Sequence, residues 1–252
     1  MDRPTEANRA LADAALAALE LLLCGFEAAA GPDGAAALRE LHDLPQDPIH
    51  AGLLAVVLRL VFLLHAEDRG LLPVDRPEYA ARFGVLALFD RLAADVGADP
   101  GAMVGRFAAW SHLLATWRAL HRGLDDAGLH FPARGGDLFD PDAHPFLEGR
   151  HHRRTDERVA LPGVDDSTVH RVLHRLLHRE HERLAYRDLD VEHLGRAYEA
   201  LLGHRVVRPP ARADEEVPRL VLRPGPERRR TGSHYTPRGL TEAVVRTALA
   251  PQ

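Results

Sequence analysis

The sequence predicts a mainly α protein, a helical bundle carrying one small β-hairpin. Three observations support this. Apolar residues recur at three- and four-residue spacing through most of the 252 residues, the signature of helices that each turn one face to a core. Strand-like runs are confined to two short stretches, 204–208 and 218–223. Apolar residues make up 46% of the chain, enough to bury a sizeable interior.

The first helix is expected over 6–30, where Leu11, Ala15, Leu19, Leu22 and Phe26 form one stripe. Cys24 is the only cysteine, cannot form an internal disulfide, and reads as a small buried hydrophobe. Gly31-Pro32-Asp33-Gly34 stops the helix, and a shorter one is expected over 35–42. Asp47-Pro48 then supplies a cap and a first-turn proline for a helix over 49–69. That helix is apolar on most sides through Leu53, Val57, Leu60, Val61 and Leu64, so it is expected at the centre of the core. Its purely apolar stretch is interrupted by Arg59 and followed by Glu67 and Asp68, too short a run for a bilayer.

Two further helices are expected over 77–96 and 100–122, the second carrying Phe107, Trp110, Leu113, Leu114 and Trp117 into the core. The stretch 123–162 reads as a long surface excursion with little regular structure, rich in glycine and proline. Helical spacing returns over 165–184, through Val169, Val172, Leu173, Leu176 and Leu177, and again over 191–202. The runs 204–208 and 218–223 are expected to pair as a hairpin. A last helix is expected from Thr236-Pro237, with Leu240, Val244, Val245 and Leu249 on its apolar side. The change in composition near His204 divides the chain into a helical domain, 1–203, and a basic C-terminal unit, 204–252.

All 32 basic residues are arginine, and the net charge is −5. The segment 204–238 holds nine arginines against four carboxylates, a net of +5 that leaves −10 for the remainder. Such a basic segment on an acidic body suggests contact with a polyanion, with DNA the obvious candidate; pairing of these arginines with the acidic body is the alternative. The absence of lysine excludes a standard P-loop, a protein-kinase site and the usual restriction-nuclease core, each of which needs an ammonium group. No serine lies in a Gly-x-Ser-x-Gly elbow. His170, His174, His178 and His181 share one side of a helix, but without a His-Glu-x-x-His order they read as a solvated, arginine-flanked surface and not a metal site. The N-terminus has no basic-then-apolar leader, which points to a cytoplasmic protein without a membrane partner.

The most informative text is Gly232-Ser233-His234-Tyr235-Thr236-Pro237. A glycine turn, two hydroxyls and free amides converge there at a helix start, where a carboxylate or phosphate is favourably held, although the pattern by itself fits a simple capped helix better. This text resembles the motif that introduces the catalytic domain of adenine-specific DNA N6-methyltransferases of the large type II restriction-modification and phage-defence class. Further matching segments lie upstream in the family's order: 58–73, with His65-Ala66-Glu67-Asp68-Arg69-Gly70; 135–140, Gly135-Gly136-Asp137-Leu138-Phe139-Asp140; and 184–199, with Tyr186-Arg187-Asp188-Leu189-Asp190.

The resemblance covers the chain from about residue 49 onward. It implies that Tyr235, Thr236 and Pro237, with His234 beside them, line the site for the methionine end of S-adenosylmethionine. It also implies that the last helix is the first of an α/β methyltransferase domain whose remainder the sequence lacks. There is no Gly-rich cofactor loop after a strand. There is also no Asn/Asp-Pro-Pro-aromatic motif: the one asparagine is Asn8, and the one Pro-Pro, Pro209-Pro210, is followed by Ala211. That motif holds the flipped adenine, so no catalytic residue is expected here. The expected role is the non-catalytic N-terminal part of such an enzyme, with DNA as partner and S-adenosylmethionine as cofactor only alongside a catalytic core; a truncated chain, a broken gene and one half of a split enzyme whose core a separate polypeptide carries all fit this text equally. The rival expectation is a stand-alone helical module that binds protein or DNA without enzyme activity.

Overall fold

The computed structural model describes residues 3–29, 38, 40–99, 101, 103, 105–126, 128–150, 164–179, 182–210 and 219–225. Within them the fold is mainly helical, with small two-stranded antiparallel sheets. Helix α1 (Arg3–Ala29) buries its expected stripe of Leu11, Ala15, Leu19, Leu22 and Phe26. Cys24 does not join it and is exposed. It sits two residues from both Leu22 and Phe26, about 200° around the helix from each, so the packed stripe turns it outward. Helix α1 lies against α6 (Asp166–Leu177) and α7 (Val191–Leu202). Gly25 allows the approach to α6, since a Cβ there would lie 2.5 Å from Thr168 Cγ2.

Helix α2 (Pro48–Asp68) is the core helix that the sequence predicts. It is long and apolar enough to cross a membrane, yet most of its surface is covered by its neighbours in the fold. Asp47 caps it and adopts a left-handed conformation with φ 46°, a region that Asp tolerates better than most residues. One carboxylate oxygen accepts His50 N–H at 3.2 Å and the other accepts Val206 N–H at 3.0 Å, so the cap also anchors the C-terminal hairpin. At the other end Gly70, with φ 65°, lets Leu71 N–H reach Ala66 O at 2.9 Å and closes the helix.

The next helical stretch is two helices, not one: α3 (Pro77–Arg82) and α4 (Val85–Ala98). The chain breaks at Phe83 because that ring turns into a separate apolar cluster with Tyr79, Leu129 and Phe131. Helix α5 starts at Ala108, later than the spacing predicts, and ends at Arg122. Phe107 precedes it and is 48% exposed, outside the core expected for it, whereas Trp110 and Trp117 are both buried.

The segment after α5 departs most from expectation. Strands β1 (Leu124–Asp126) and β2 (Leu129–Phe131) form a hairpin, a 3-10 turn spans Pro145–Glu148, and Phe131, Phe139, Phe146 and Leu147 are buried. As far as residue 150 this is a folded layer over α2, not a surface excursion; 151–163 lie outside the described residues. Helix α6 ends at Leu177, short of the expected 184. There His178–Arg179 (β3) folds back on Glu182–Arg183 (β4).

Helix α7 keeps its expected bounds, with Asp190 and His193 forming a reciprocal cap. Strands β5 (His204–Val207) and β6 (Val221–Pro224) pair antiparallel, with Val206 opposite Leu222. Val206 and Leu220 lie in the same apolar core as the helices. The helix expected from Thr236 lies outside the described residues.

Close approach decides Gly52, in the middle of α2. A Cβ there would stand 2.3 Å from Phe146 Cε1. Gly52→Ala therefore gains roughly 1 kcal/mol of helix propensity but forces a buried ring aside, which costs typically 1–3 kcal/mol. A net loss of about 1 kcal/mol is expected in urea denaturation. A more stable variant would show that the ring yields freely.

Candidate functional site

Several side chains from the C-terminal half of α2, and Arg69 just after it, reach across this fold. Arg59 is 1% exposed in the middle of an apolar helix. Its guanidinium donates to the backbone carbonyls of Leu138 and, at 3.1 Å, Asp140, and lies 4.9 Å from the centre of the Trp117 ring. Burial lowers its pKa to about 10 against the opposing pull of Asp140.

One and a half turns on, His65 Nδ1 lies 3.0 Å from Tyr186 O. Arg69 donates to Arg187 O at 2.9 Å. Asp68 accepts both the backbone N–H of Arg187, at 2.7 Å, and its guanidinium, at 3.1 Å. Burial alone would raise the Asp68 pKa, but these two bonds from Arg187 outweigh it and hold the carboxyl below its ordinary value. Glu67, between them, turns the other way. Its Oε1 accepts Tyr79 O–H and Val85 N–H, both at 2.7 Å, and its Oε2 accepts Leu86 N–H at 2.8 Å, which caps α4.

These contacts bring together three segments that the sequence keeps far apart, 58–73, 135–140 and 184–199. Where 58–73 meets 184–199, a cavity of about 590 Å³ opens between α2, α4 and the turn after β4. Leu64, Leu86 and Leu177 contribute its apolar wall, and Asp68, Arg183 and Arg187 its charged one. Tyr186 also faces this cavity, but its hydroxyl is committed to Leu176 O at 3.0 Å and burial pushes its pKa up. The polar groups here brace the backbone and form no activated nucleophile or acid–base pair.

A second cavity of about 370 Å³ lies between α4 and α5, beside Arg91, Asp95, Arg106, His112 and Asp166. Arg91 donates to Ala80 O at 3.1 Å, and the other charges are paired. Arg106 bridges Asp95 at 2.8 Å and Asp166 at 3.3 Å, while Asp166 Oδ1 caps α5 by accepting Ala109 N–H at 2.7 Å. Burial and the nearby Arg91 keep His112 below the usual imidazole range.

Tyr235, Thr236, Pro237 and His234 lie outside the described residues. Of the four histidines singled out, His170, His174 and His178 gather around Phe89, and His181 lies outside the described residues. His170 and His178 are half-buried there, less solvated than the sequence reading has them. Among the described residues no group of three His, Cys, Asp or Glu is placed to hold a metal ion.

In the basic C-terminal unit Arg208 pairs with Asp43 at 3.7 Å, and Arg219 lies near Glu27. Burial raises the Glu27 pKa against the opposing effects of Leu220 N–H and Arg219. The sequence reading missed the roles of Arg59 and Glu67. The available signal was a charge within a helix that is apolar all round, where a buried group has to find partners. Compared with protein-family models, with curated proteins and with solved structures, the chain has no significant match.

Glu67 gives a test of this bracing. Burial raises its pKa above the ordinary 4.5 despite its three donors. The native state therefore keeps this proton to a higher pH than the unfolded chain does, and Glu67's contribution to stability falls as pH rises from 4.5 through the raised value, then levels off. Glu67→Gln removes that slope and costs about 1–3 kcal/mol by facing an amide NH₂ to a donor. Urea midpoints of both proteins across pH should show curves that diverge from parallel in that interval. Parallel curves would contradict the assignment.

Proposed function

We propose that this chain is the non-catalytic N-terminal part of a site-specific DNA adenine N6-methyltransferase of a restriction-modification or phage-defence system. In this reading S-adenosylmethionine and the flipped adenine are held by a catalytic core that carries the motifs this sequence lacks. The helical body braces that core, DNA is the partner, and the place of action is the cytoplasm. Tyr235, Thr236 and Pro237, with His234, are the residues of this chain that would meet the cofactor's methionine end.

One observation carries the reading. The segments whose text resembles the family, 58–73, 135–140 and 184–199, are joined in space by Arg59, His65, Asp68 and Arg69. Chance likenesses scattered along a chain have no reason to meet, whereas a shared fold keeps residue types where they hold each other in place. The side chains concerned serve the backbone, which suits a scaffold better than a reaction centre.

The test is calorimetric titration with S-adenosylmethionine, paired with a DNA methylation assay. It uses the whole chain alone and mixed with a separately produced methyltransferase core from the adjoining reading frame. Cofactor binding and adenine methylation should appear in the mixture and be absent with the chain alone. Methyl transfer by the chain alone, or a mixture inert in both assays, would contradict the proposal.

A further inference from the structure

The outer face of α6 has a composition unlike the rest of the surface. Val169, Val172, Leu173, Leu176 and Leu177 face the core. This leaves His170, Arg171, His174, Arg175 and His178 on the opposite side, without a carboxylate among them. At about 100° per residue His170, Arg171, His174 and Arg175 cover a face roughly 140° wide, and His178 follows just past the helix end.

Phe89 of α4 lies beneath the imidazoles. Its ring is parallel to His170 at 5.5 Å between centroids and 5.4 Å from His178, and His174 stacks on His178 at 4.7 Å. The face is thereby held against the core as a fixed platform. Burial, reinforced by repulsion from neighbouring imidazoles, keeps His170 and His174 below the usual histidine range, which leaves Arg171 and Arg175 as the permanent charges of the helix face. Arg171 and Arg175 are exposed, one turn apart, and neither has an ion pair or hydrogen bond among the described residues. Arg208 in the basic C-terminal unit, by contrast, is already paired with Asp43.

We propose that this face of α6 is a nucleic-acid docking surface, with Arg171 and Arg175 gripping backbone phosphates and His174 lying between them. Guanidinium groups bind phosphate bidentately, and two free ones on a rigid helix form a preset pair of contacts. The composition separates this partner from the other polyanionic ones. A membrane-surface helix inserts apolar residues between lipids, and this face has none to insert. A protein interface is anchored by buried aromatic or aliphatic side chains, and the one aromatic ring here, Phe89, is already covered. The inference rests on exposed charge, not on the methyltransferase reading, and adds a surface distinct from the basic C-terminal unit.

The experiment is fluorescence anisotropy of the full chain with a labelled DNA duplex of arbitrary sequence, titrated over a range of salt. The wild type should bind and weaken as salt rises. Arg171→Gln with Arg175→Gln should reduce the slope of log affinity against log salt by about 2, one counterion's worth for each lost phosphate contact. Arg171→Lys with Arg175→Lys should keep most of that slope. All these side chains are exposed, so the variants should melt with the wild type.

Arg205→Gln with Arg223→Gln, on exposed positions of the hairpin, serves as the comparison. The proposal is overturned if only the hairpin variant loses affinity or if the wild type does not bind the duplex. Anionic vesicles bound as tightly as DNA, and released by the same α6 variant, would also overturn it. Loss of DNA binding by the α6 variant with unchanged cofactor binding in the mixture described above would separate this surface from the methyltransferase reading.

Discussion

A guanidinium buried in the middle of an apolar helix is the constraint around which this fold is arranged. Taking such a charge out of water costs several kcal/mol unless its donors are satisfied. Arg59 meets that requirement with two backbone carbonyls from 138–140, the carboxylate of Asp140 nearby and the face of Trp117. The consequence runs outward from there. The segment after α5 has to cross α2 to supply those carbonyls, and in doing so it lays Phe139 and Phe146 into the core. Gly52 then has to be glycine-sized for Phe146 to seat. The buried arginine thus fixes the path of a segment that has little regular structure to fix it otherwise.

The same logic operates at the helix ends. The first N–H groups of α4 and α5 are satisfied by carboxylates distant in sequence, Glu67 and Asp166, and the hairpin is held by Asp47 and by Glu27, which accepts Leu220 N–H. Removing one such carboxylate uncaps an element that is not its own. The helices are therefore coupled through polar contacts as well as through apolar packing. The two cavities beside α4 fit that coupling, since the charges around them are largely paired with one another.

What the sequence discloses about the fold follows from how local each signal is. Helices α2 and α7 have their cap residues, Asp47 and Asp190, immediately before the apolar pattern, and both fall within a residue of expectation. The strands of the terminal hairpin stand out because helical spacing stops at Leu202, just before them. Where the deciding group is remote, the reading goes astray. The start of α5 depends on Asp166, 57 residues beyond the amide it caps, and the break before α4 depends on Glu67. Phe83 leaves the helix for a cluster completed by β2, and no local pattern announces that. Cys24 is the opposite case, because its two-residue offset from Leu22 and Phe26 was visible and argued for exposure. For the candidate sites, Arg59 stood in plain view as an interruption in an apolar run, but its partners are not local. The histidine spacing marked the side of α6 away from its apolar stripe but not the packing of His170 and His178 on Phe89, while the arginines between them gained meaning only once the core side of α6 was fixed.

Helix α2 therefore gathers the segments 135–140 and 184–199, with Arg59 as its principal anchor. Hydrogen–deuterium exchange of Arg59→Met beside the wild type tests this most directly. Local loosening is expected: faster exchange at the amides of 138–150, including Leu147 and Gly149, which are hydrogen-bonded there to His144 O and Phe146 O, with α1 and α6 as protected as before. Unchanged exchange over 138–150, or a uniform rise across all helices, would contradict the claim that Arg59 fixes this segment to the core.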